Sequence, residues 1–200
     1  MSSASSINPS YLADRASTVR RALDGRSIVL VGMMGAGKST IGKKLAELTE
    51  LGFVDADHEI EQAAGMSIED IFDRFGEAEF RSGEKRVISR LLKEGPSVIA
   101  TGGGAFMDEE TRNVIGGSGV SIWLDANIEI LMQRVMRRSN RPLIKTEDPQ
   151  VTMENLLAER NPVYALADFR VESRNASRDV VAAEVLDMLC DGLTAANAAQ

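Results

Sequence analysis

The chain has 200 residues, of which 44% are hydrophobic and 26% charged, and its formal net charge is −7. That length builds one domain with a sizeable core and is short for two. The acidic balance argues against broad binding to nucleic acid or a membrane surface, but leaves room for an anionic substrate held by a local cluster of donors. A single cysteine, Cys190, excludes an intrachain disulfide and fits a reducing, cytoplasmic setting, and the lone His58 argues against a histidine-based zinc site.

The first 25 residues hold no long apolar stretch and read neither as a secretory signal nor as a membrane span. Leu12, Ala16, Val19 and Leu23 share a helical face, which predicts a short accessory helix after a Ser-rich start. Arginines 15, 20 and 21 faintly resemble a transit peptide, a weaker reading of the same stretch. Residues 1–26 are therefore set apart as a partly helical extension, 27–190 as the single domain and 191–200 as a flexible tail.

Within the domain the pattern alternates strand and helix. Residues 27–31 (SIVLV) form a continuous apolar run between Gly25 and Gly32, as expected of a strand buried on both faces. A glycine-rich turn then opens into a helix reaching Glu50, and Phe53-Val54 is a short second strand ending at Asp55. Ser67 with Asp70 resembles a capping box, followed by an apolar helical face of Ile68, Ile71, Phe72 and Phe75 that Gly76 can end. A further helix carries Phe80, Val87, Ile88, Leu91 and Leu92 up to Gly95-Pro96. Strands are expected at 98–101, 120–124 and 169–171, with helices at 128–135 and around 180–189. The fold class predicted is α/β: a five-stranded parallel sheet in a three-layer α/β/α sandwich. Residues 137–150 (RRSNRPLIKTEDPQ) are polar, proline-containing and long for a compact connection, and so read as a mobile lid or as an ordinary surface loop.

The stretch Gly32-Met-Met-Gly-Ala-Gly37-Lys38-Ser39 is a complete P-loop, placed between a predicted strand and a predicted helix. Glycines let backbone N–H groups turn inward around phosphate oxygens, and the helix N-terminus adds its positive dipole end. Gly35, Ala36, Gly37, Lys38, Ser39 and Thr40 are the ATP-binding candidates. Lys38 would reach the β- and γ-phosphates, and Ser39 would ligate Mg²⁺. No Asn-Lys-x-Asp guanine reader or Leu-Ser-Gly-Gly signature occurs, and the Asp73-Arg-Phe-Gly76 text lies on a helix, so a GTPase switch and an ABC-type ATPase are set aside. Asp55 and Asp57 stand two residues apart at a strand end, where open α/β sheets bind ligands. One can hold a metal's water shell while the other accepts a hydrogen bond from a substrate hydroxyl.

In that order along 27–189 follow FVDAD, SIEDIFDRFGEAEFRSGE, ATGGGAF, RPL and AERNPVYALADF, and with the P-loop they make the chain resemble the shikimate kinase family. The resemblance implies a P-loop NTPase fold with a lid, ATP and shikimate as substrates, Mg²⁺ as cofactor, and transfer of the γ-phosphoryl group to the 3-hydroxyl of shikimate. It implies that Arg81 and Arg160 clamp the substrate carboxylate, a pairing suited to the planar guanidinium fork. It implies further that Asp57 and Gly103 take ring hydroxyls, with Gly102 and Gly104 allowing close approach, and that Asp55 and Ser39 position the metal. Lys38, Asp57 and the lid residue Arg141 become the catalytic set, with Arg141 also an ATP contact. The substrate-binding segment is placed at 57–94, with Glu84 orienting Arg81 and with Phe72 and Phe80 either lining the ring or packing the core. An adenine-side loop is placed near 173–177, and a monomer is the expected state. The rival readings are a related kinase of another polyol acid such as gluconate, and a non-catalytic nucleotide-dependent binding module.

Overall fold

In the computed structural model the described residues are 8–136 and 148–198. Five parallel strands are ordered β2-β3-β1-β4-β5, with β1 Ser27–Val31, β2 Gly52–Asp55, β3 Ser97–Ala100, β4 Gly119–Asp125 and β5 Phe169–Glu172. Every residue of β1 is buried, because β1 is the central strand with a helical layer on each face. The fold is the expected three-layer α/β/α arrangement of a P-loop kinase.

Eight α-helices fill the connections among the described residues: α1 Pro9–Leu23, α2 Lys38–Thr49, α3 Ala56–Ala64, α4 Ile68–Lys93, α5 Glu109–Ser118, α6 Ile128–Met136, α7 Pro149–Tyr164 and α8 Arg178–Ala198. From β1 the chain passes to the edge strand β2, returns to β3 beside β1, and then crosses to the other side for β4 and β5. The C-terminal ends of β1, β2 and β3 consequently lie together, with Asp55 opposite Ala100 across β2 and β3. Ligands of open α/β sheets bind at that edge.

Local chemistry sets the ends of these elements. Ser67 caps α4 in the manner its sequence predicts: its Oγ accepts from Asp70 N at 3.1 Å and donates to Asp70 Oδ2 at 2.6 Å. The helix then breaks at Gly76, whose φ of 80° and ψ of 174° are non-helical, so α4 is two helices joined by a kink. Asp148 caps α7 with Pro149 in its first turn, so the last two positions of the expected lid are helical.

The expected N-terminal helix is present as α1, and the expected tail is not loose over its described residues. The α1 face bearing Ala16, Val19, Ala22 and Leu23 is buried, packed on α8 and α2 as part of the one hydrophobic core. The predicted flexible tail at 191–200 is corrected: α8 continues to Ala198, because Leu193 remains buried beyond Cys190. Cys190 is itself buried, as its apolar surroundings predict.

Candidate active site

The P-loop spans the gap between β1 and α2. Gly37 is the N-cap of α2 with φ of 99°, a backbone state open to glycine, and no side chain caps the helix there. The first N–H groups of α2 therefore keep their capacity for an anion. Lys38 Nζ rests on its own loop, donating to the carbonyls of Gly32 at 2.6 Å and Met33 at 3.0 Å. Ser39 Oγ donates to Asp55 Oδ2 at 2.7 Å, which brings the P-loop hydroxyl and the β2 carboxylate together. Asp55 also caps α3 by accepting from Asp57 N at 3.2 Å, so the same turn fixes Asp57 in the first helical turn.

A cleft of about 460 Å³ runs along the P-loop and includes Lys38, Ser39, Asp55, Asp57 and Gly103 in its walls. A second cavity of about 360 Å³ is walled by Asp57, Arg81, Glu84, the three glycines 102–104 and Arg160. Asp57 and Gly103 belong to both walls, so the two spaces meet at these residues.

The second cavity is densely charged. Arg81 Nη1 donates to Glu84 Oε2 at 2.7 Å, and its Nη2 reaches Glu77 Oε1 at 3.2 Å. The guanidinium carbon lies 5.0 Å from the Phe80 ring centroid, and Phe80 packs on Phe72 with centroids 4.6 Å apart. Phe80 is thus both core and wall, while Phe72 is half-buried along the same cavity. Burial pushes the Glu84 carboxyl above its ordinary range, against the opposing pull of Arg81. Arg160 projects from α7 and is 8% exposed. Its Nε, and Oε1 of Glu84, are buried polar atoms without a hydrogen-bond partner. Atoms of this kind suit a site that receives a polar ligand.

Two of the three glycines after β3, Gly102 and Gly104, have no room for a side chain. A Cβ on Gly102 would lie 2.7 Å from Asp57 Oδ1 and from Glu84 Oε1, and one on Gly104 would overlap the Arg81 guanidinium, at 2.6 Å from Cζ. Side chains here would push Asp57, Glu84 and Arg81 apart.

The structure brings together Gly35, Ala36, Gly37, Lys38, Ser39, Thr40, Asp55, Asp57, Arg81, Gly102, Gly103, Gly104 and Arg160 at the two adjoining cavities. Arg141 and the lid residues 137–147 lie outside the described residues. Two contributors receive no role from the sequence: Arg134, which lies in no quoted motif, and Tyr164, which belongs to the AERNPVYALADF text. Arg134 Nη1 of α6 donates to the P-loop carbonyls of Gly35 and Ala36, each at 3.2 Å, and to Ser173 Oγ at 3.0 Å. Burial lowers its pKa. Ser173 Oγ in turn donates to Ala36 O at 2.6 Å, which brings the expected adenine-side loop against the P-loop. Tyr164 of α7 donates to the Gly103 carbonyl. The hydrogen bonds that give each its role are made only by the tertiary fold.

Known proteins resemble this chain over most of its length. The family model for shikimate kinase matches residues 34–190. A shikimate kinase of Bradyrhizobium diazoefficiens is 56% identical over 179 residues, covering 90% of this chain and 86% of its own. That of Mesorhizobium japonicum is 52% identical over 168 residues, covering 84% and 83%. Among solved structures, the shikimate kinase from Acinetobacter baumannii in complex with shikimate superposes with a TM-score of 0.82 at 36% identity, covering 86% of this chain and 97% of that one. With a P-loop, an adjoining cavity lined by two arginines and these relatives in agreement, the chain belongs to the shikimate kinase family.

Proposed function

We propose a division of labour among these residues for the family's reaction, transfer of the γ-phosphoryl group of ATP to the 3-hydroxyl of shikimate to give shikimate 3-phosphate. The observation that carries it is the junction of the two cavities at Asp57 and Gly103. ATP lies along the P-loop with its phosphates against the N–H groups of 35–40, and Lys38 leaves the Gly32 and Met33 carbonyls to reach the transferred group. Shikimate fills the second cavity, its carboxylate between Arg81 and Arg160 and its hydroxyls at Asp57 and the 102–104 turn. A cyclic carboxylate that bears hydroxyls matches a space whose wall holds two arginines and the Asp57 carboxylate. Gluconate shares the carboxylate but not the ring that Phe72 and Phe80 would flank.

Asp57 orients the attacking hydroxyl toward the γ-phosphorus, and Lys38 neutralises charge on the transferred oxygens. A loose transition state asks mainly for positioning and charge compensation, which this set supplies. Arg141, assigned to the same neutralising role from sequence, lies outside the described residues. For Mg²⁺ the fit is good: Ser39 and Asp55 offer hard oxygen donors 2.7 Å apart beside the phosphate cleft. Among the described residues no cluster of three or more His, Cys, Asp or Glu could hold a metal alone, as expected where Mg²⁺ takes phosphate oxygens and waters as its other ligands. When bound, the ion would offset phosphate charge.

A monomer working in the cytoplasm is the accompanying proposal. The large apolar side chains that are exposed, such as Tyr11, Phe75, Met136 and Leu166, are scattered over separate elements. No helix among the described residues is long and apolar enough to cross a membrane. The reading is tested by supplying purified protein with ATP, Mg²⁺ and either shikimate or gluconate. Turnover of shikimate should far exceed that of gluconate, and the reverse preference would sink the substrate assignment.

A further inference from the structure

Tyr164 lies four residues beyond Arg160 on α7, close to the same helical face, and is fully buried. Its ring stacks on Trp123, with centroids 6.0 Å apart and planes at 28°. Trp123 stands opposite Val31, the last residue of β1 before the P-loop. The phenol oxygen donates to the Gly103 carbonyl and lies 3.8 Å from Met33 Sδ. One side chain therefore touches the substrate-side turn, the P-loop and the strand beneath it.

A ring that merely filled the core would need no hydroxyl. Here the hydroxyl has a definite task, visible in the carbonyls of the triple glycine. Gly102 O accepts from Ala105 N at 3.3 Å and Gly104 O from Met107 N at 3.0 Å, both bonds being local to the turn. The middle carbonyl, Gly103 O, is held instead by Tyr164, which is 61 residues away in sequence. Because the peptide unit is planar and trans, fixing that carbonyl also fixes the Gly104 N–H on the opposite side. Between two glycines such a plane would otherwise rotate freely. Burial pushes the phenol up to about 12, so the O–H remains a donor at any working pH.

We propose that Tyr164 is a positioning residue: its hydroxyl sets the Gly103–Gly104 peptide and, through α7, holds Arg160 in register with it, so that both shikimate contacts form as one unit. The inference rests on the roles proposed above for Gly103 and Arg160. It predicts a defect confined to one substrate. Tyr164→Phe should raise KM for shikimate about tenfold, the effect of one buried hydrogen bond, while KM for ATP stays close to that of the parent. An unchanged KM for shikimate overturns the inference, as does an equal rise in both KM values, which is the mark of a loosened core. Arg160→Lys separates the two layers of argument. If that variant leaves KM for shikimate unchanged, the site assignment itself fails. If it raises KM while Tyr164→Phe does not, only the positioning role fails.

A second measurement leaves Tyr164 and its hydroxyl in place. The chain has two tyrosines, Tyr11 and Tyr164, so Tyr11→Phe protein grown with 3-fluorotyrosine carries a single fluorine-labelled residue. Its ¹⁹F resonance should shift when shikimate is added and much less when ATP is added alone. A resonance indifferent to saturating shikimate overturns the proposal.

Discussion

Glu84 follows Arg81 by three residues on α4, and its side chain is 3% exposed, with one oxygen 2.7 Å from Arg81 and the other without a partner. Such a pair is weak support for stability, because removing two charges from water costs about what their attraction returns. Its value lies in holding the guanidinium beside the glycine turn. Arg81→Ala should therefore weaken shikimate binding by about 2–5 kcal/mol, as for one partner of a buried charge pair; a KM indistinguishable from the parent would remove Arg81 from the site. Glu84 supplies a pH test. Burial is the larger influence and raises its pKa above the ordinary 4.5, so the folded chain holds this proton more tightly than the unfolded chain does. Its contribution to stability is then complete below the unfolded-state pKa and is lost as pH rises through the folded-state value. Melting temperatures of the parent and of Glu84→Gln should diverge in that window, with the parent falling relative to the variant as pH rises from the unfolded carboxyl range at about 4. A difference that stays flat up to about neutral pH would show that the carboxyl is not perturbed. At the same scale, Lys38 Nζ stands at the phosphate cleft on the Gly32 and Met33 carbonyls, and Lys38→Met should abolish phosphoryl transfer; turnover in that variant would contradict the phosphate role.

The elements show where local sequence decides and where it does not. The capping box at Ser67 and the break at Gly76 were both readable, because each depends on residues within a few positions. What the text could not give is that the two halves of α4 stay packed across the break, Phe72 on Phe80 at 4.6 Å, and so carry Arg81 to the cavity. Two glycines of this helix make a matched prediction of opposite sign. At Gly76, φ of 80° with ψ of 174° belongs to a region that essentially only glycine occupies, and no atom lies within 4 Å of a would-be Cβ. Gly76→Ala should thus cost about 1–3 kcal/mol from backbone strain alone. Gly83 sits in regular helix with the same open space. Gly83→Ala should stabilise by about 0.5–1 kcal/mol, through helix propensity and the loss of unfolded-state freedom. Urea denaturation of both variants gives the answer, and two changes of the same sign would contradict the assignment of the kink.

For the whole molecule, the phosphate side was legible because its parts are contiguous: the P-loop is one stretch, and Asp55 and Asp57 share one turn. The supports were not. Arg134 reaches the Gly35 carbonyl from 99 residues away, and Tyr164 reaches Gly103 from 61, separations that no pattern in a single chain connects. The order of the strands was equally hidden, since alternation predicts a parallel sheet without saying which strand is central. The packing of the termini was hidden for a related reason. The apolar face of Leu12, Ala16, Val19 and Leu23 predicted the helix but not what it packs on, and small polar residues suggested a loose tail; α1 and α8 cover each other's apolar faces, with Arg15 bonded to Asp187 at 3.0 Å on the rim. Arg20 also donates to Thr49 O at 3.3 Å, at the far end of the helix that the P-loop begins. Neither cavity has an α1 residue in its wall, so the contribution of α1 should be to stability and not to recognition. Leu23 is 1% exposed, and truncating it leaves a cavity that the surrounding helices cannot fully close. Leu23→Ala should cost about 2–5 kcal/mol, which for a chain of this size lowers the melting temperature by about 2–4 °C per kcal/mol. KM for ATP and shikimate, measured well below the transition, should remain at parental values. An unchanged melting temperature would mean that α1 is not docked in solution, and a changed KM would mean that its packing reaches the P-loop through α2.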